Sequence, residues 1–159
     1  MRIRLFTLKR DQARLFEEEV PESVCENIGK REFFTLCAAD TFNEPAGFLQ
    51  FYVGKLSDGR SVAEIVYVHV REVYRRKGVA SRLVSGALSS MEESSIGRVA
   101  VFVPKSLEEA QSFFTSAGFI GLAPDADMKE YYERRYGKTG MEEHTLLMRF
   151  VGDYDKTVL

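Results

Sequence analysis

The sequence predicts an α/β fold of the mixed, α+β kind, with a mostly antiparallel central sheet of about seven strands and flanking helices. Three observations point there. Apolar stretches at 32–40, 46–53 and 63–70 follow one another across turn signals at Asn43-Glu44-Pro45 and Asp58-Gly59. Such short connections imply antiparallel pairing. A strand, a helix and a second strand then run from Ala63 to Val103, an order that demands a parallel, right-handed crossover. A second amphipathic stretch and two further strands follow, giving the order β-α-α-β-β-β-α-β-α-β-β.

Length and composition fit one domain spanning residues 1–159. The chain is long enough to bury a core without disulfides or metal, and 45% hydrophobic with 29% charged residues is ordinary for such a domain. The net charge of −2 argues against a broad nucleic-acid surface. Cys25 and Cys37 are too few for a disulfide framework or a metal-ligand set, which suits a reducing, cytoplasmic setting. No apolar run is long enough for a membrane span or a signal sequence.

In chain order, residues 2–9 alternate as a first strand. Asp11 is placed to cap a helix carrying Leu15, Phe16 and Val20, stopped near Pro21. A short helix at 23–29 follows. The acidic run Glu17-Glu18-Glu19, with Glu22 and Glu26, reads as a solvated face, with attraction of a cationic amine as the alternative. Phe33, Phe34, Leu36, Phe48, Leu49 and Phe51 supply core from the second and third strands. The fourth, at 63–70, is rich in β-branched residues.

Next comes a helix from about Gly78, with Val79, Leu83, Val84, Ala87, Leu88 and Met91 on one side. Residues 99–103 form a buried strand ended by Pro104. Ser106 and Glu109 offer a capping box for a helix bearing Ala110, Phe113, Phe114 and Ala117, and Gly118 is its expected C′ residue. Strands at 119–122 and 144–151 close the sheet. The stretch 125–140 between them holds Tyr131, Tyr132 and Tyr136 among charges.

One turn carries chemistry. Between the fourth strand and its helix lies Arg75-Arg76-Lys77-Gly78-Val79-Ala80-Ser81. Small residues where a helix leaves its first N–H groups unpaired, with three cations beside them, suit a phosphate group. Neither a P-loop nor a Gly-x-Gly-x-x-Gly fingerprint is present.

This spacing resembles the central motif of the GNAT superfamily of acetyl-CoA-dependent N-acetyltransferases. That motif is Gln/Arg-x-x-Gly-x-Gly/Ala, and Arg75, Gly78 and Ala80 occupy its fixed positions. The later half is similar too, with Ala110, Phe113, Phe114, Gly118 and Phe119 matching the helix after the fifth strand. The likeness is good over 62–120 and elsewhere rests on the order of elements.

The resemblance implies a GNAT fold, acetyl-CoA as co-substrate without a metal, and an amine-bearing acceptor. It places the pyrophosphate on Arg75, Arg76, Lys77, Gly78, Val79, Ala80 and Ser81. The backbone of Val68, His69 and Val70 would meet the pantetheine, and Phe114 would sit beside the cofactor where many members carry a tyrosine acid, although on physical grounds alone Phe113 and Phe114 read as core. Family members are often dimers, so a homodimer is an expectation.

Transfer to an amine needs a proton acceptor. Glu64 stands eleven positions before Arg75, which resembles the placing of the strand-borne base in the histone-acetylating branch. The plain alternative is a strand glutamate that reaches solvent. His69 and His144 read as packed or surface residues. Phe114 has no proton to give, so Tyr74, Tyr131, Tyr132, Tyr136 or water is left to protonate the thiolate. The stretch 125–140 is the best candidate for contact with the acceptor, an ordinary surface helix and loop being the plain alternative. A non-catalytic acyl-CoA-binding module of the same fold is the alternative function.

Overall fold

The structure is a computed structural model that describes residues 2–152. Seven strands are hydrogen bonded in the order β1-β2-β3-β4-β5-β7-β6. They are β1 (Arg4–Thr7), β2 (Phe33–Ala39), β3 (Pro45–Lys55), β4 (Ser61–Val70), β5 (Arg98–Pro104), β6 (Ile120–Gly121) and β7 (His144–Phe150). Among the described residues four α-helices accompany them: α1 (Glu22–Asn27), α2 (Val79–Glu93), α3 (Glu108–Ser116) and α4 (Ala126–Tyr136). The expected strands are present and the fold class is mixed α/β. The chain divides into two compact units, one of residues up to Tyr52 with Ile65–Ser90, the other of Val53–Glu64 with residues from Met91 on.

In the first unit β1, β2 and β3 pair antiparallel, Phe6 opposite Cys37 and Cys37 opposite Phe48. Leu8, Phe16, Val24, Ile28, Cys37 and Phe48 form a buried cluster, with Phe6 and Tyr67 packed on it. Gln50 and Thr35 are buried polar residues of this unit, and the Gln50 amide nitrogen donates to Val24 O and Thr35 Oγ1. Its nitrogen is thus satisfied, while Oε1 is buried with no hydrogen-bond partner among the described residues. Gly47 is required on β3 because a Cβ there would run into the His69 carbonyl and Val70 of β4.

In the second unit β4 meets β5 in parallel register, Val62 opposite Arg98 and Glu64 opposite Ala100. β5 pairs antiparallel with β7 along its whole length, and β6 adds to β7. Phe102 therefore stands two residues beyond the partner of Glu64, on the same face of the sheet. α4 packs there. Tyr131 lies parallel to the Phe102 ring at 6.4 Å, and Tyr132 meets it edge-on at 5.0 Å.

Three local expectations are corrected. The helix proposed from Asp11 is a 3-10 turn at Arg10–Gln12, followed by a run of turns. Its N–H groups reach back three residues, as Leu15 to Gln12 and Glu19 to Phe16 do. Three glutamates at what would be the helix C-terminus oppose its dipole. The Ser106–Glu109 capping box does not form either. α3 starts at Glu108, its N-cap is Leu107, and no side chain caps it. Residues 104–107 are bound up in a turn instead, with Leu107 N–H on Pro104 O and the Gln111 amide on Pro104 O and Lys105 O. Finally, the 125–140 stretch contains the full helix α4.

The far end of α3 follows its sequence. Gly118 has φ of +92°. Its N–H bonds Thr115 O, while Phe119 N–H bonds Phe114 O, which together make a Schellman end.

Candidate active site

Glu64 is 3% exposed, on a strand otherwise lined by Val62, Ala63 and Ile65. A carboxylate this deep needs partners. All of them come from one helix. The Tyr131 hydroxyl donates to Glu64 Oε1 at 2.6 Å. The Tyr136 hydroxyl donates to Oε2, and Arg135 Nε approaches Oε1 at 3.4 Å. Positions 131 and 135 share one face, being four residues apart, and Tyr136, the last residue of the helix, reaches the other carboxylate oxygen from the adjoining position.

Local sequence explains why that helix forms and stays in place. Asp125 is its N-cap, accepting from Met128 N–H at 2.9 Å, a contact typically worth about 1 kcal/mol. Arg134 and Arg135 occupy the last turn, where cations suit the helix dipole. Gly137, at φ +98°, ends it. Its first turn is tied down through Asp127, which accepts from Ser57 Oγ and pairs with Arg60. Near the other end Arg134 donates to Lys55 O.

Burial, and then the Glu64 charge, push both phenols well above the usual tyrosine range. Tyr131 and Tyr136 therefore keep their protons and remain donors to the carboxylate. They differ in reach. Tyr131 is 1% exposed and Tyr136 is 47% exposed.

The basic turn lies in the first unit. A 3-10 turn at Glu72–Tyr74 leads from β4 into an extended Arg75, whose Nε donates to Val70 O at 2.9 Å. Arg76 adopts φ of +62° and Gly78 φ of +78°. The first helical bond of α2 is Arg82 N–H to Gly78 O. The N–H groups of Val79, Ala80 and Ser81 thus precede any i−4 carbonyl of their own helix. Arg75, Arg76, Lys77 and Gly78 are exposed. Tyr74 braces the turn by donating to Asp40 Oδ2 at 2.6 Å. Exposed cations beside a helix N-terminus fit a pyrophosphate.

The remaining sequence candidates fall as follows. Val68, His69 and Val70 are half-buried at the end of β4. His69 Nε2 lies 3.0 Å from Glu19 Oε1, and His144 Nδ1 lies 2.8 Å from Gly140 O, so both are packed. Phe114 is buried against Phe113 and Phe119. Of the three tyrosines expected near an acceptor, Tyr131 and Tyr132 belong to the interior. Sequence reasoning missed Arg135 and the pairing of Tyr131 and Tyr136 with Glu64. The Asp125 cap and Gly137 stop mark the helix, but nothing in the sequence announces its docking on β4. No cluster of His, Cys, Asp and Glu that would hold a metal ion occurs among the described residues.

The family comparison is decisive. The profile of the acetyltransferase (GNAT) family matches residues 3–119. The chain belongs to the GNAT acetyltransferase family. Solved structures with this fold include Arabidopsis thaliana NAA60 in complex with acetyl-CoA, at a TM-score of 0.70 and 12% identity, covering 94% of this chain and 99% of that one. PaiA N-acetyltransferase from Thermoplasma acidophilum, in complex with coenzyme A, gives 0.64 at 13% identity over 94% and 99% of the two chains. An aminoglycoside acetyltransferase from an uncultured soil metagenomic sample, in complex with trehalose, gives 0.63 at 19% identity over 78% and 92%. The sequence has no significant match among curated proteins. At these identities the structural likeness establishes the GNAT fold. Membership of the family supports an acyltransferase and the use of acetyl-CoA.

Proposed function

We propose that this GNAT protein transfers an acetyl group from acetyl-CoA to a primary amine by direct attack, with Glu64 as the final acceptor of the amine proton. The observation that carries the reading is the buried Glu64 carboxylate, eleven residues before the Arg75 that opens the family motif. The turn from Arg75 to Ser81 holds the pyrophosphate through the N–H groups of Val79, Ala80 and Ser81 and the charges of Arg76 and Lys77. The backbone of Val68, His69 and Val70 lies along the pantetheine arm. An alkylammonium, with a pKa of about 10, has no lone pair for attack, so removing its proton is the protein's main chemical task. Phe114 cannot protonate the departing thiolate, which takes a proton released from nitrogen as the amide forms.

The test is thermal denaturation with and without acetyl-CoA, followed by an amine panel. Acetyl-CoA raises the melting temperature of the wild type, because a ligand of the folded state stabilises it, and leaves Gly78→Glu unmoved. Glu64→Gln loses about 10²-fold or more in turnover and keeps its acetyl-CoA affinity. Equal loss of both would remove Glu64 from the reaction.

A second reading, an acyl-CoA-binding module without turnover, is favoured by one observation: Phe114 stands where a proton-donating tyrosine is common in the family. It predicts the same melting shift with no product from any amine.

A further inference from the structure

Glu64 poses a difficulty for direct proton transfer. Its side chain is 3% exposed, and both carboxylate oxygens already accept hydrogen bonds from α4. An ammonium group carries its own shell of water and has no route to this carboxylate. Of the groups that touch Glu64, Tyr131 is sealed at 1% exposure, whereas Tyr136 is 47% exposed. The Arg135 side chain, 20% exposed, holds a guanidinium that donates protons and accepts none.

We infer that Tyr136 is the catalytic group that touches the amine, and that it relays the amine's proton to the buried Glu64. The inference rests on the N-acetyltransferase reading and names the residue that performs its first step. A phenol oxygen has one proton and two lone pairs. In Tyr136 the proton is given to Glu64 Oε2, and one lone pair accepts from Arg135 Nη2 at 3.2 Å. The second lone pair accepts an N–H of the ammonium. As that proton passes to the Tyr136 oxygen, the hydroxyl proton passes to Glu64, so the phenol is regenerated and the charge ends on neither residue.

The neutral amine then forms the C–N bond. The thioester C–S bond breaks, the second nitrogen proton leaves with the thiolate as free CoA thiol, and Glu64 returns its proton to water by the reverse relay through the Tyr136 hydroxyl. One ammonium and one acetyl-CoA give one amide, one CoA thiol and one proton. Tyr131 and Arg135 act as positioning residues. They hold Glu64 Oε1, which turns Oε2 toward Tyr136. Glu64 and Arg135 are the charged groups that act on the Tyr136 hydroxyl, so their charges bias the relay.

The experiment measures turnover of acetyl-CoA with kanamycin, spermidine, L-lysine, tryptamine and an alanine-initiated peptide as separate acceptors. Tyr136→Phe removes the relaying oxygen and loses about 10²-fold in kcat, with the KM for acetyl-CoA unchanged. Because that variant also loses a partly buried hydrogen bond, 3,5-difluorotyrosine placed at position 136 supplies an independent readout. Its more acidic phenol moves the basic limb of the kcat profile to lower pH, since a phenolate has no proton to pass to Glu64.

Wild-type turnover by Tyr136→Phe, or a difluorotyrosine profile superimposable on that of the wild type, overturns the relay and leaves N-acetylation standing. Failure of the wild type to acetylate any of the five amines, despite a melting shift with acetyl-CoA, overturns both.

Discussion

The carboxylate of Glu19 accepts from Arg71 at 3.0 and 3.2 Å and lies 3.0 Å from His69 Nε2. The hydrogen bonds from Arg71, aided by His69, hold it below the usual value of 4.5, although partial burial works the other way. A group with a depressed folded-state value stabilises the fold above its unfolded pKa, and that contribution is lost as pH falls through the folded one. Melting temperatures of the wild type therefore decline more steeply below about pH 4.5 than those of Glu19→Gln. Parallel curves for the two proteins would show that the contact is not worth its geometry. The same contact marks where reading by residue type falls short. The acidic run from Glu17 to Glu19 looks like uniform surface charge, yet its last member is tied to His69 at the end of β4 and to Arg71 just beyond it. Glu64 was legible as a candidate, because its distance from the motif is a property of the chain. Its enclosure was not, because Tyr131 lies 67 residues away.

At the scale of elements, what the sequence reveals depends on whether the deciding force is local. The C-terminal end of α3 is local, and Gly118 predicts it. The N-terminal end is not, since the turn at Pro104, held by the Leu107 N–H and the Gln111 amide, starts the helix at Glu108 and leaves Ser106 outside the position from which it would accept the first free N–H groups. The strands and α2 were legible from periodicity, for Val79, Leu83, Val84, Ala87, Leu88 and Met91 all point inward and are buried.

Two glycines separate close packing from backbone conformation as causes. A Cβ at Gly47 would strike β4, with Val70 Cα at 3.0 Å. Overpacking of this kind costs about 1–3 kcal/mol. Gly47→Ala thus lowers the melting temperature and, by displacing the end of β4, weakens acetyl-CoA binding. Nothing stands within 4 Å of a Cβ at Gly78, so Gly78→Ala pays only for its left-handed backbone, roughly 1–2 kcal/mol. Gly78→Asn, which tolerates positive φ, recovers part of that loss. Denaturant titration of the three variants beside the wild type checks the order.

For the molecule as a whole, both cysteines report on burial. Cys25 and Cys37 are free, at 2% and 0% exposure. Burial raises the Cys25 thiol and pushes Cys37 up to about 12. The thiolate is the reactive form. A disulfide reagent at neutral pH accordingly titrates neither thiol in the native protein, and both react once the chain unfolds. Fast reaction of either under native conditions would show that the first unit opens without global unfolding.

Each side chain that holds Glu64 belongs to residues 126–136, and the contact spans more than sixty positions of sequence. Ribosomes add about 5–20 residues per second. For several seconds of its synthesis, then, the chain already contains the entire Arg75–Ser81 turn while Glu64 waits for its partners to be made. A messenger cut short before the codon for Ala126 encodes the proposed phosphate-binding turn without the groups that enclose the proposed base. Such a fragment is disarmed by the order in which its parts are translated.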